Sequence, residues 1–90
     1  MRTMFAPITI YTQPGCRPCH RVQEKLEEAG LDYDVVNLLT NEEAKTYVTK
    51  VLNATSVPVI VSDVRDPIIG YQPDELADLI NYLTTSETGL

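Results

Sequence analysis

The residues that point most directly to chemistry are Cys16 and Cys19, two cysteines separated by two other residues. They follow a run of β-branched and aromatic residues, Ile8–Thr12, which predicts a strand, and the pair Pro14-Gly15, which predicts a turn. Apolar residues then recur at helical spacing and predict a helix over residues 16–29. Cys16 is therefore expected at the N-terminus of a helix, where unpaired amides and the helix dipole favour the thiolate, the reactive form of cysteine.

A thiolate with a second thiol one helical turn away is suited to thiol–disulfide exchange. The first sulfur attacks a disulfide, and the second releases the resulting mixed disulfide. We predict that Cys16 attacks and that Cys19, which begins the buried stripe of the helix, resolves. The nearby cations Arg17, His20 and Arg21 favour the thiolate further. Pro18, by contrast, lacks the backbone amide that would donate to it. We therefore expect moderate activation, suited to a reductant rather than a strong oxidant.

The same residues also fit two kinds of metal site. Cys16, Cys19 and His20 supply three of the four ligands that a structural zinc ion needs, so zinc would require acidic ligands or a second chain. The spacing also matches the C-x-x-C-H pattern of haem attachment, but His20 is the single histidine and both methionines are N-terminal. We expect no bound metal or cofactor, only a redox-active disulfide between Cys16 and Cys19.

Composition narrows the class of protein. The chain has 90 residues with 43% hydrophobic content, which is enough for one small packed domain. Its net charge of −6 disfavours a nucleic-acid partner, and no apolar run is long enough to span a bilayer. Residues 1–7 lack the apolar segment of a signal peptide, so the close cysteine pair points to a reducing compartment. We expect a monomeric, cytoplasmic protein.

The segments after the first helix alternate between strand and helix patterns. Gly30 is a natural C-cap, and a second strand is predicted at residues 33–38. Thr40 and Glu43 form a capping box that starts a second helix, which Asn53 ends. The apolar stripe of that helix is predicted to be buried and comprises Ala44, Tyr47, Val48, Val51 and Leu52.

The C-terminal part predicts two strands and a last helix. The strands are expected at residues 59–61 and 67–69, and Pro67 places the second at a sheet edge. Pro73 suits the first turn of a helix. The core-facing residues of that helix are Leu76, Leu79, Ile80 and Leu83. The order is thus β-α-β-α-β-β-α, an α/β fold with a four-stranded mixed sheet covered by three helices. We expect one domain at residues 1–84 and a flexible tail at 85–90.

The Val57-Pro58 pair, just before the third strand, has two interpretations. It is a proline that merely opens a strand, or it is a cis peptide bond, which X–Pro pairs accommodate in tight turns. This pair, the C-x-x-C at the strand end and the element order together resemble the pattern of the thioredoxin superfamily. Within it, they resemble the glutaredoxin branch. The resemblance covers residues 8–83 and implies the thioredoxin fold. It also implies a cis bond beside the active site, with the Val57 backbone paired to the substrate's backbone.

Within that branch, residues 70–74, Gly-Tyr-Gln-Pro-Asp, resemble the NrdH-redoxins. Those glutaredoxin-like proteins take electrons from thioredoxin reductase and pass them to a class Ib ribonucleotide reductase, so the resemblance implies these two partners. Glutathione-using glutaredoxins typically carry Gly-Gly where this chain has Ile69-Gly70, and an acid that Pro73 displaces here. Glutathione stays open as the alternative electron source. A third possibility is a non-catalytic glutaredoxin in which Cys16 binds an iron–sulfur cluster between two subunits.

We assign catalysis to Cys16 and Cys19. Substrate contacts are expected from three pairs of neighbouring residues: Arg17 and Pro18, Val57 and Pro58, and Gly70 and Tyr71. Three features depart from the family pattern. The Arg-Pro dipeptide between the cysteines is not the usual redoxin pair, and Ser56 stands where a Thr is common. The first strand contains no acid of the kind that thioredoxins bury there. The proton of Cys19 would then pass to water or to a substrate group.

Overall fold

The structure is a computed structural model that describes residues 8–88. Residues 1–7, where we expect no signal peptide, and residues 89–90 lie outside the described part. The elements are β1 (Ile8–Thr12), α1 (Arg17–Glu28), β2 (Asp34–Asn37), α2 (Glu42–Thr46) with a π-helical turn (Tyr47–Val51), β3 (Val59–Ser62), β4 (Ile68–Ile69) and α3 (Pro73–Thr88). This order confirms the predicted α/β arrangement, because the π-helical turn directly continues the second helix.

The four strands form one mixed sheet in the order β2-β1-β3-β4. Strand β1 is parallel to β2 and antiparallel to β3, and β4 is antiparallel to β3 at the sheet edge, as predicted. Helix α1 makes the crossover that a parallel β1–β2 pair requires. The ends of β1, β2 and β4 and the start of β3 therefore lie at the same end of the sheet.

The two faces of the sheet bury separate apolar clusters, since neighbouring residues of a strand point to opposite faces. The face covered by α1 and α3 buries Ile8, Ile10, Val22, Leu26, Leu31, Ile60, Ile68, Leu76 and Leu79. The face covered by α2 and the π-helical turn buries Leu38, Val48, Ala54 and Val59. The inward faces predicted for α1 and α3 are confirmed, with Ile80 and Leu83 packed at the margin of the first cluster.

The predicted start of the second helix is wrong by one residue. Asn41, not Thr40, is the N-cap, and its Oδ1 accepts a hydrogen bond from the Ala44 amide at 2.9 Å. The Thr40 hydroxyl donates instead to the Asn37 carbonyl, and the Thr40 amide bonds the same carbonyl at 3.2 Å. Thr40 is thus held in the turn that follows β2, one residue before the cap.

The predicted apolar stripe of this helix is only partly confirmed. Its buried or partly buried members are Ala44, Tyr47, Val48 and Leu52. Val51, however, is 64% exposed. The Leu52 amide bonds the Tyr47 carbonyl five residues back, and this wider π turn rotates Val51 away from the face that a regular α-helix would bury. Asn53 adopts a left-handed conformation (φ 55°) and ends the helix, as predicted.

The remaining boundaries differ at their edges. Strand β2 is two residues shorter than the predicted range of 33–38, and α3 continues through residues 85–88. The flexible tail at 85–90 stays a prediction, and its last two residues lie outside the described part. Within residues 8–88, no helix combines the length and the apolar character that crossing a bilayer requires.

Replacing Asn41 by Ala should lower the free energy of unfolding by about 1 kcal/mol, because the Ala44 amide loses its acceptor. The matched control is Thr40→Ala, which should change it by less than about 0.5 kcal/mol. Urea-induced unfolding of both variants and the parent measures the difference. A larger loss in the Thr40 variant than in the Asn41 variant would contradict the assignment of the cap.

Candidate active site

Cys16 lies at the N-cap of α1, as the sequence predicts. Its backbone is extended (φ −87°, ψ 102°), and its Sγ accepts a hydrogen bond from the Cys19 amide at 3.2 Å. An N-cap side chain can accept from the second or third helical residue, but the second is Pro18, which has no N–H. One backbone amide therefore reaches the sulfur. The helix dipole adds to the stabilisation of negative charge at this position.

The two cysteines differ in exposure. They form a disulfide with their Cα atoms 5.3 Å apart. Cys19 is 1% exposed and starts the buried stripe that continues with Val22 and Leu26, whereas Cys16 is partly exposed. An approaching disulfide can thus reach the first sulfur, while the second lies behind it in the core.

The approach to Cys16 is open on the side of the preceding turn. Pro14 and Gly15 are both exposed, and Gly15 adopts a left-handed conformation (φ +79°). A Cβ atom added to Gly15 would meet no heavy atom within 4 Å beyond its chain neighbours. Arg17 and Pro18, between the cysteines, are exposed as well. A substrate can therefore contact this surface without displacing other side chains.

The Val57-Pro58 peptide bond is cis, the second of the two interpretations that the sequence allows. The loop that contains it is held by Gly70, whose amide donates to the Pro58 carbonyl at 2.8 Å. A Cβ atom at Gly70 would lie 3.2 Å from the Ser56 Oγ, and the backbone there is left-handed (φ +82°). A larger residue at position 70 would push against the loop, so glycine fits this contact.

Strand pairing places the cysteines and the cis proline at one end of the sheet. Tyr11 pairs with Val59, and the Leu38 amide bonds the Thr12 carbonyl at 2.8 Å. The residues that follow β1 and those that precede β3 are therefore neighbours. Among the predicted site residues, this end of the sheet holds Cys16, Arg17, Pro18, Cys19, Val57, Pro58 and Gly70.

Two tyrosines near the site are mainly packing residues. Tyr71 packs against the first core cluster and lines a groove between α1 and α3 together with Lys25 and Glu28. Tyr11 packs on the opposite face, with its ring centroid 6.0 Å from that of Tyr47. Burial, with a smaller contribution from Tyr47, raises the pKa of Tyr11. The shift moves this pKa further from neutral pH, where a tyrosine hydroxyl is already protonated.

Acidic groups are missing from the core that surrounds Cys19. Within residues 8–84, whose side chains the structure describes, no polar or charged residue is fully buried. The sequence of β1 already indicates this, since it contains no Asp or Glu. In the same part of the chain, no group of three or more His, Cys, Asp and Glu side chains is arranged to hold a metal ion.

The sequence does not predict a groove of about 450 Å³ at this end of the sheet. Its lining includes Gln13 from the turn before Cys16, Leu39 from the loop after β2, Lys45 from α2, and Val57. The one signal was Leu39, an apolar residue beyond the strand and before the helix cap. Periodicity says nothing about such a residue, because it belongs to neither element.

Known proteins are similar to this chain in sequence. The glutaredoxin family model matches residues 8–65. The Gene 56 protein of Mycobacterium phage D29 is 70% identical over 90 residues, the full length of both chains. The Gene 56 protein of Mycobacterium phage L5 is 62% identical over 90 residues. The match spans all of this chain and 87% of the phage L5 protein.

Two solved structures extend the likeness to the fold. The NrdH-redoxin of Escherichia coli, a glutaredoxin-like protein with a thioredoxin-like activity profile, superposes with a TM-score of 0.72 at 28% identity, over 80% of this chain and 92% of that one. The thioredoxin-like protein BC3987 superposes with a TM-score of 0.74 at 29% identity, over 80% of this chain and 97% of its own. Both likenesses agree with the thioredoxin fold that the sequence predicts.

Proposed function

The chain belongs to the glutaredoxin family and is a thiol–disulfide oxidoreductase, and we propose that it reduces disulfides in other proteins. One observation carries this proposal: a partly exposed cysteine at a helix N-cap forms a disulfide with a cysteine that is 1% exposed in the core. That asymmetry is what a nucleophile and its resolving thiol require.

The reaction starts from the reduced pair. The Cys16 thiolate attacks one sulfur of the target disulfide, forms a bond to it, and releases the other target sulfur as a thiolate. Cys19 then loses its proton to water or to that thiolate and attacks the Cys16 Sγ. The Cys16–Cys19 disulfide forms, the second target sulfur leaves, and two electrons have passed to the target.

The loop of the cis proline supplies a surface for the target backbone. Neither the amide nor the carbonyl of Val57 bonds another described residue. An extended segment of the target can pair with these groups, as strands do at an open edge. Pro58 is buried below them, while Gly70 holds the loop in place. Arg17 and Pro18 are exposed and complete the proposed contacts, together with the part of Tyr71 that the core packing leaves exposed.

We propose thioredoxin reductase as the electron source and a ribonucleotide reductase as a target. The likeness to NrdH-redoxin, with its thioredoxin-like activity profile, supports this. The sequence at residues 69–73 also argues against glutathione, because Ile69 and Pro73 alter the positions by which glutathione-using relatives grip the tripeptide. We further propose that the protein is a monomer in the reducing cytoplasm, with no membrane partner. We also propose that it has no nucleic-acid partner, which agrees with its net charge of −6.

Replacing Cys16 by Ser should abolish reduction of a protein disulfide, because no thiolate can attack. Replacing Cys19 by Ser should leave the attack intact and accumulate a mixed disulfide between Cys16 and the target. Mass spectrometry without reductant detects that adduct, and the double Ser variant controls for other disulfides. Equal activity of the two single variants would contradict the assigned roles.

Oxidation of NADPH should couple to this protein faster through thioredoxin reductase than through glutathione and glutathione reductase. The two electron-transfer routes are compared at equal protein concentration with the same disulfide target. The loss of NADPH absorbance measures the rate of each. The Cys16→Ser variant sets the background of each assay. A faster glutathione route would instead assign the protein to the glutathione-dependent glutaredoxins.

A further inference from the structure

The acidic residues of the chain are unevenly placed along the sequence. All 13 lie after residue 23, so β1, the turn that follows it and the first two turns of α1 contain none. Arg17 and Arg21 lie in that stretch, although the chain as a whole carries a net charge of −6. Cys16 therefore belongs to a positively charged segment of an acidic protein.

Helix α1 begins with charges that weaken it. The N-terminus of a helix favours acidic side chains, and α2 and α3 each have two acids in their first turn. The first turn of α1 has no acid and starts with Arg17. Arg21 follows four residues later, and like charges at this spacing also destabilise a helix. Helix stability therefore does not explain these two arginines, and such a local conflict is expected where residues serve function.

The two arginines form one exposed face of α1 beside the reactive cysteine, which we call the cationic face. Both residues are exposed, and their positions lie opposite the buried stripe of the helix. Arg21 is about 6 Å along the helix axis from Arg17. Since helical side chains lean towards the N-terminus, both charges are directed towards the end that holds Cys16.

The charges of the cationic face are not neutralised by the described part of the chain. Neither arginine forms an ion pair or a side-chain hydrogen bond with another described residue. Arg65, by contrast, lies in the turn between β3 and β4 and pairs with Glu75 at 2.8 Å. Helices α2 and α3 start shortly after β2 and β4, at the same end of the sheet as α1. Positive charge thus begins one helix at this end and negative charge begins the other two, a pattern that can orient a charged partner.

We propose that the cationic face binds acidic side chains of the proteins whose disulfides Cys16 reduces. A target with Asp or Glu near its reactive disulfide is attracted to the start of α1 and is oriented with those acids towards Arg17 and Arg21. The two arginines speed the encounter and are specificity-determining residues, whereas bond exchange belongs to the two cysteines. This inference rests on the proposed reduction of protein disulfides.

Short peptides with one cysteine test the proposal. Each is acetylated and amidated, and its cysteine carries a 2-thiopyridyl group, so attack by Cys16 forms the peptide mixed disulfide and releases pyridine-2-thione. Two Asp residues flank the cysteine in the first peptide, two Asn residues in the second and two Lys residues in the third. Stopped-flow absorbance gives the rate of thione release.

Two reference reactions separate recognition from reactivity. The rate of each peptide with 2-mercaptoethanol corrects for the intrinsic reactivity of that peptide. The rate of each protein with the uncharged 2,2′-dipyridyl disulfide corrects for the reactivity of its Cys16 thiolate, which a nearby charge also changes. The corrected rates then compare only how well each protein recognises each peptide.

At low salt the reduced parent protein should react about two- to fivefold faster with the Asp peptide than with the Asn peptide, the scale of exposed ion pairs, and more slowly still with the Lys peptide. At about 1 M salt, where screening acts within about 3 Å, this preference should largely disappear. Arg21→Glu should abolish the preference and Arg17→Gln should reduce it, whereas Arg21→Lys keeps the charge and should retain it. The matched control Lys50→Glu makes the same change in net charge on the exposed π-helical turn, across the sheet from α1, and should keep the preference.

Equal corrected rates for the three peptides would overturn the inference. A preference that survives Arg21→Glu would also overturn it, and so would an equal loss in Lys50→Glu, because net charge alone would then explain the result. These outcomes leave the redox function intact as long as the parent protein reacts with 2,2′-dipyridyl disulfide. If Cys16 does not react even with this disulfide, the proposed function itself fails.

Discussion

The contact between the Cys19 amide and the Cys16 Sγ, 3.2 Å long, is the interaction on which the rest of the site depends. It exists only if α1 begins at Arg17, so that the sulfur of the preceding residue faces the free amides of the first turn. The helix is held against the core by its buried residues Cys19, Val22 and Leu26. A single short segment therefore places one sulfur at the surface and its partner in the core.

The sheet supplies the second half of the site. Strand β1 is central and is paired on both sides, so its end is fixed relative to β2 and β3 at once. The cis Val57-Pro58 bond enters β3 at that same end, and Gly70 holds its loop by one backbone hydrogen bond and a close contact with Ser56. Residues from three distant parts of the sequence are thereby brought to the same end of the sheet as Cys16.

Much of this arrangement follows from the sequence, because the relevant signals are local. The strand before the cysteines, the helix that they begin, and the element order all come from periodicity and from turn residues. The predicted start of α2 is wrong because Thr40 and Asn41 are both good N-cap residues. Which of them caps the helix depends on the Asn37 carbonyl, a contact outside the helix. The exposure of Val51 depends on a π turn, for which the sequence has no reliable pattern. The groove was missed because it arises between elements, and Leu39 is notable only once its surroundings are known.

The relative reactivity of the two thiols tests the central claim most directly. The reduced protein is treated with iodoacetamide at mildly acidic pH, and peptide mass mapping follows the labelling of each cysteine with time. We expect Cys16 to be alkylated well before Cys19, because the helix terminus favours its thiolate and the core shields its partner. Labelling of Cys19 first, or of both at the same rate, would contradict the assignment of nucleophile and resolving thiol.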